Sequence, residues 1–240
     1  MKYHLNMNKT LILPAKKFFL GSLIKNFRYF FLRDSREENL STLFSDIVFE
    51  NINKKNIKII DYGSGFQPIV SYKLHKKLKK KNISSKFLCL DIYNNQELKK
   101  LNKSIFFIFR NIFDLKTKNK KYDFAIISDV LHHLEGGGVN NIVLIKNILI
   151  QLKKKSNFII IKDVFERNFF DRIILIFMDF IGNYHNEVLI PKKYFNKNKF
   201  ENLLHTLNFK IIKKYENVSY YSKFFLFFSN PSLHCVYIIK

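Results

Sequence analysis

Three groups of residues in this chain have the types and spacing to do chemistry. Asp61 closes a short apolar run that begins at Ile57, and Gly63 and Gly65 follow it. Glycines there let the backbone turn sharply and come close to a ligand. A helix starting near Phe66 would aim its free N–H groups at the same spot. Asp91 ends a second apolar run 28 residues after Gly63, and a carboxylate at such a strand end can accept both hydroxyls of a ribose. Asp129, His132 and His133 follow a third run, Tyr122–Ser128. An imidazole titrating near neutral pH suits proton removal, and Asp163, after the run Asn157–Lys162, is a further acid. Each group also has a plainer reading: a strand-to-helix turn, a surface acid, and a histidine pair of which one packs under a sheet and the other caps a turn.

The elements around these residues alternate. The chain reads as strands at Ile57–Asp61, Lys86–Ile92, Ile105–Phe109, Tyr122–Ser128 and Asn157–Lys162. Helices fall between or beyond them, at 68–81, Gln96–Asn102, Val139–Lys153, Asn168–Ile181 and Phe195–Leu207. Pro68 is tolerated in a first turn. Two last strands, Phe209–Tyr215 and Leu233–Ile239, have no clear helix between them and read as an antiparallel pair. The alternation predicts an α/β fold, a doubly wound, seven-stranded, mostly parallel sheet with an antiparallel last strand and additional N-terminal helices. Residues 1–55 read as a helical cap and 56–240 as the main domain. In the cap, Lys16–Arg33 puts Phe19, Leu23, Phe27 and Phe30 on one helical face. It reads either as a lid or, given its basic polar positions, as a membrane-surface helix. A second helix is expected over Glu37–Glu50, with Ser35 as its N-cap and Glu38 three residues on.

The glycine loop is a poor fit to a dinucleotide. The G-x-G-x-x-G pattern wants a third small residue, and Pro68 stands there, beyond a bulky Phe66. No P-loop is present. Asp61 would repel a diphosphate but could help position a cationic amino group. A ligand with adenosine, an ammonium and no phosphate suits these residues better.

The segment Asp61-Tyr62-Gly63-Ser64-Gly65 resembles the D-x-G-x-G loop of the class I, Rossmann-like S-adenosylmethionine-dependent methyltransferases. Asp91 resembles their ribose-binding acid. Arg110–Asp114 is similar to the segment that meets the adenine amino group, and Tyr122–Leu134 to the fourth strand and its following turn. The likeness covers about residues 56–163. It implies S-adenosylmethionine as cofactor, held by Asp61, Tyr62, Gly63, Ser64, Gly65, Asp91, Ile92, Asn111, Ile112 and Ser128, and methyl transfer as the reaction. His133, His132 and Asp129 are then the candidate bases for an oxygen acceptor. The chain departs from the pattern in having Asn111 where an aspartate is frequent, and Lys154-Lys155-Ser156-Asn157 where a glycine pair is usual. Gly136-Gly137-Gly138 instead follows His133.

Methyltransferases of base amino groups usually carry an Asn/Asp-Pro-Pro-aromatic turn, and Ser128-Asp129-Val130-Leu131 lacks it. A nucleic-acid partner is disfavoured on that ground, although the formal charge is +23. The excess is lysine spread along the whole chain, with little arginine, the better phosphate fork. Phe and Ile in the cap and in Phe165–Tyr194 point instead to a small-molecule or lipid-like acceptor. Simple core packing explains the same residues. An RNA-modifying methyltransferase and a membrane-surface protein without turnover remain as rival readings.

Hydrophobic residues make up 47% of the 240 positions, enough for a sizeable core. Cys89 and Cys235 lie in apolar runs and read as buried free thiols of a reducing compartment. No cysteine–histidine cluster has zinc-ligand spacing, so no metal is expected. With no signal peptide or spanning run, the expected place is the cytoplasm, with residues 16–33 as the one candidate for peripheral membrane contact.

Overall fold

Apolar runs rich in Ile and Phe pair edge to edge in the middle of this protein, because a strand buried on both faces needs no polar alternation. The computed structural model describes residues 34–65, 68–91, 104–109, 121–136, 142–183, 190–221 and 230–240. In chain order these give α1 (Asp34–Glu50), β1 (Asn56–Tyr62), α2 (Ile69–Lys80), β2 (Ser84–Asp91), β3 (Ile105–Phe109) and β4 (Tyr122–Ser128). A 3-10 helix, Leu131–Gly136, leads on to α3 (Ile142–Lys155), β5 (Ser156–Val164), α4 (Phe169–Asn183), α5 (Lys197–Thr206), β6 (Ile211–Glu216) and β7 (His234–Ile239).

The strands form one sheet in the order β3-β2-β1-β4-β5-β7-β6. All pairings are parallel except those of β7, which runs antiparallel to both β5 and β6. From β1 the chain winds outward to β2 and β3, then returns to lay β4 on the other side of β1. That reversal opens a crevice beyond the carboxyl ends of β1 and β4, where ligands bind in open α/β sheets.

Successive strand residues face opposite sides. Ile60, Tyr62, Ala125, Ile127, Ile159 and Ile161 pack against α3 and α5. Ile59, Phe124, Ile126 and Ile160 pack against α1, through Leu40, Phe44 and Ile47, and against α2, through Leu74 and Leu78. Residues of α1 therefore share the core of the sheet. In α4, Leu175 is buried with Val164, Tyr194 and Leu233, while Phe169 and Phe170 are 64% and 75% exposed. Among the described residues no helix is long and apolar enough to cross a membrane.

The α/β class and mostly parallel sheet are those expected, and the strand limits agree to within a residue or two. Two local expectations are corrected. The first described helix begins by Asp34, so Ser35 lies inside it and is not its N-cap. Pro68 occupies the N-cap position of α2 rather than its first turn. The helices expected at Lys16–Arg33 and Gln96–Asn102 lie outside the described residues. Cys89 and Cys235 are buried free thiols, as expected.

Candidate active site

The loop after β1 is shaped by two glycines with left-handed backbones, Gly63 at φ 76° and Gly65 at φ 79°. The amides of Gly63 and Ser64 both donate to the carbonyl of Leu90, at 2.8 and 3.1 Å, and so tie the loop to the end of β2. The next residue of β2, Asp91, is buried, and its Oδ2 accepts from the Gly65 amide at 2.6 Å. The two acid-and-glycine groups of the sequence thus meet in one place. A Cβ on Gly63 would lie 2.3 Å from Cγ2 of Val130, whereas one on Gly65 would meet nothing within 4 Å. Gly65→Ala should therefore lose only the left-handed backbone preference, about 1–2 kcal/mol. Gly63→Ala adds a steric clash and should lose about 2–5 kcal/mol in all. Urea unfolding midpoints of the two variants check this, and equal losses would contradict it.

Asp61 ends up buried, with its Oδ2 accepting from the Ser71 hydroxyl at 2.5 Å. Burial pushes its carboxyl up to about 6; the Ser71 bond pulls the other way, and the charge of Asp91 adds to the rise. The ring of Tyr62 is enclosed in the core, so this residue can offer a ligand only its backbone. Ser64 and Ser128 present buried hydroxyl oxygens without a hydrogen-bond partner. Ser64 stands two residues past the end of β1, and Ser128 is the last residue of β4. An unsatisfied buried hydroxyl costs about 1–3 kcal/mol, and a polar ligand between these strands would remove that cost. The donor set suits a cofactor that carries a ribose and an ammonium. Ile92, Asn111 and Ile112 lie outside the described residues.

The turn after β4 begins at Asp129, with φ 54°. Its amide donates to the carbonyl of Lys162 at 2.9 Å. Its carboxylate bridges two cations, Arg36 of α1 and Lys162 near the end of β5. Burial opposes ionisation, but Lys162 and Arg36 hold the Asp129 carboxyl well below the usual range. The Lys162 ammonium is itself buried and sits 4.8 Å over the Tyr220 ring. The carboxylate expected as a catalytic candidate is thereby engaged in a buried ion pair.

The 3-10 helix that follows carries the histidines. His132 is buried, with Nδ1 at 2.5 Å from Oδ1 of Asp163. Asp163 also accepts from the amides of Leu131, at 3.1 Å, and Val164, at 2.8 Å. His132 Nε2 lies 3.6 Å from Oδ2 of Asp179 on α4, too far for a hydrogen bond. Asp179 in turn accepts from the Tyr194 hydroxyl at 2.5 Å. Burial works against a charge on His132, but Asp163 and Asp179 outweigh it and push the imidazole up to about 10. His132 therefore holds a proton at neutral pH. His133 is half-buried, its ring centroid 3.9 Å from that of His132.

The structure thus brings Asp61, Gly63, Ser64, Gly65 and Asp91 together, and places Ser128, Asp129, His132 and His133 beside them through the Gly63–Val130 approach. Sequence reasoning missed the parts played by Arg36, Lys162 and Tyr194. Lys162 carries a signal, as a lysine closing an otherwise apolar strand. Asp179 carries a signal only as an acid within the largely apolar helix α4.

No family model matches the chain, and no curated protein sequence matches it. Its fold is that of the class I S-adenosylmethionine-dependent methyltransferases. One similar solved structure is the 1,6-didemethyltoxoflavin-N1-methyltransferase of Burkholderia thailandensis with bound S-adenosylhomocysteine. It is 12% identical, with 97% of this chain and 92% of that one covered and a TM-score of 0.55. A plantazolicin methyltransferase, in complex with a monoazolic desmethylPZN analog and S-adenosylhomocysteine, is 18% identical over 91% and 89% of the two chains, with a TM-score of 0.54. A cyclopropane-fatty-acyl-phospholipid synthase-like protein of Lactobacillus casei is 11% identical over 85% and 90%, with a TM-score of 0.56.

Proposed function

We propose that this chain is an S-adenosylmethionine-dependent methyltransferase acting at oxygen on a small-molecule or lipid-like acceptor. The observation that carries the reading is the crevice itself: a Gly63–Gly65 loop bonded to Asp91, flanked by the unpartnered hydroxyls of Ser64 and Ser128. Two structural neighbours that hold S-adenosylhomocysteine support it. The cofactor supplies an electrophilic methyl group on a sulfonium. Asp91, with Ile92, takes the ribose; Asn111 and Ile112 take the adenine; Asp61, Tyr62, Gly63, Ser64, Gly65 and Ser128 take the amino-acid end. The fold is read as the doubly wound, seven-stranded kind, with residues 1–55 contributing a cap.

Transfer forms an acceptor O–CH3 bond as the S–CH3 bond breaks, and the acceptor's hydroxyl proton must leave. His133 is the place for that proton, since Asp129 is held by Arg36 and Lys162 and His132 already carries one. In-line placement of acceptor and methyl does most of the remaining work. The exposed Phe169, Phe170, Ile173 and Phe177 on α4 favour an apolar acceptor or one presented at a membrane surface. Two buried thiols agree with a cytoplasmic place.

Calorimetric titration tests the reading. Wild type should bind S-adenosylmethionine and S-adenosylhomocysteine in the micromolar range and ignore NAD. Asp91→Ala, with an unfolding curve to confirm its fold, removes charge-assisted bonds of about 1.5–3 kcal/mol and should bind about 10- to 100-fold more weakly. Absence of binding to both sulfur ligands, or an Asp91→Ala variant that binds like wild type, would overturn it.

A further inference from the structure

His132, His133 and Asp179 come from two separate elements, yet their donor atoms all lie within 4.8 Å of one another. We propose that these three side chains form a binding site for one divalent transition-metal ion of the zinc class, with an open coordination position toward the acceptor. The key observation is Nε2 of His132, which is buried and has no hydrogen-bond partner. It points at Asp179 across 3.6 Å. Ligands of a tetrahedral ion with bonds of about 2.05 Å sit about 3.3 Å apart, so this pair is already near ligand spacing. Torsions of the half-buried His133 and Asp179 bring the third donor in.

The surroundings are those of a metal site one layer out. Metal-bound histidines usually donate their other ring N–H to a carboxylate, which fixes the ring and raises its basicity. Asp163 stands at 2.5 Å from His132 Nδ1 in that position. Asp163 is itself oriented by two backbone amides. Ligating carboxylates are likewise hydrogen-bonded, and the Tyr194 hydroxyl serves Asp179 at 2.5 Å. Binding displaces the proton from His132; two neutral imidazoles and one carboxylate then leave a divalent ion with one positive charge, which Asp163 balances. The donor set of two nitrogens and one oxygen suits zinc, cobalt or nickel; magnesium and calcium prefer oxygen alone. A second grouping, Asp129, His132 and Asp163, is also close enough. Arg36 and Lys162 already occupy the Asp129 carboxylate there, and a dication would be repelled.

The purpose of the ion rests on the proposed transferase reading. Beside the acceptor it would lower the hydroxyl's pKa, and His133 would then serve as a ligand in place of a free base. The test separates the two claims. The untagged full chain is stripped with a chelator, loaded with Zn2+ or Co2+, dialysed, and assayed for ions per chain and for the visible absorption of bound Co2+. Wild type should hold one ion per chain. His133→Ala and Asp179→Asn should each lose at least 10-fold in affinity, and His75→Ala, whose ring bonds Ser85 elsewhere, should lose none. The same proteins are titrated with S-adenosylhomocysteine. An ion that only the intact triad holds establishes the site, whether or not the sulfur ligand binds; failure of the sulfur ligand counts against the transferase reading alone. No ion in wild type, or ions held equally by His133→Ala and Asp179→Asn, would overturn the metal site and leave the transferase reading standing.

Discussion

Asp129→Asn is expected to destabilise the folded chain by about 3–5 kcal/mol, because it leaves a buried lysine and a half-buried arginine without their anion. The Lys162 side chain is 2% exposed, that of Asp129 19% and that of Arg36 28%, so water screens the three charges poorly. Backbone strain does not confuse the result, since asparagine tolerates the left-handed φ of 54° about as well as aspartate. For a chain of this length the loss corresponds to a fall of about 6–20 °C in Tm. Adding Lys162→Met to the variant should return a large part of it, since the two changes share one network. If Asp129 worked chiefly as an acid–base group, its asparagine variant would keep its melting temperature and lose turnover alone. Thermal unfolding of the single and double variants decides between these outcomes.

Asp61→Asn is expected to do the reverse, stabilising the ligand-free protein while weakening cofactor binding. The carboxyl titrates at about 6 in the folded chain against a usual 3.8, chiefly because it is buried. Its contribution to stability is fully present below about pH 3.8 and disappears as pH rises through about 6. In that window the folded state binds more protons than the unfolded one. Above pH 6 the ionised group costs the free protein about 3 kcal/mol, at 1.36 kcal/mol per pKa unit. The asparagine variant should lack this falling limb in urea unfolding measured from pH 4 to 7. The proposed ammonium of the cofactor would favour the ionised form. Binding to wild type should therefore strengthen as pH rises through about 6, and binding to the variant should stay flat. A wild type whose stability does not fall across that range would refute the assignment.

The fold was legible because its signals are local. Ile105–Phe109 and Tyr122–Ser128 are apolar runs of strand length, and the structure begins and ends both strands at those residues. The start of α1 was less legible. Ser35 and Glu38 imitate a capping box, while the helix already includes Asp34. Within the site, Asp61, the two glycines and Asp91 sit at strand ends, where spacing alone points to a ligand. The partners of Asp129 and His132 could not be read in that way. Arg36 is 93 residues from Asp129, and Asp163 is 31 from His132. Only the strand order brings these side chains together. The grouping of His132, His133 and Asp179 has no signature in cysteine and histidine spacing for the same reason, since Asp179 comes from another helix.

The place of β7 between β5 and β6 also governs how this protein must fold. Ile159 of β5 and Ile211 of β6 both pair with Ile239. Until that strand arrives, β5 carries an open edge of consecutive isoleucines, Ile159–Ile161, an invitation to the wrong partner. Pairing strands so distant in sequence makes for slow folding. During that interval the unfinished edge of β5 is open to pairing with other chains.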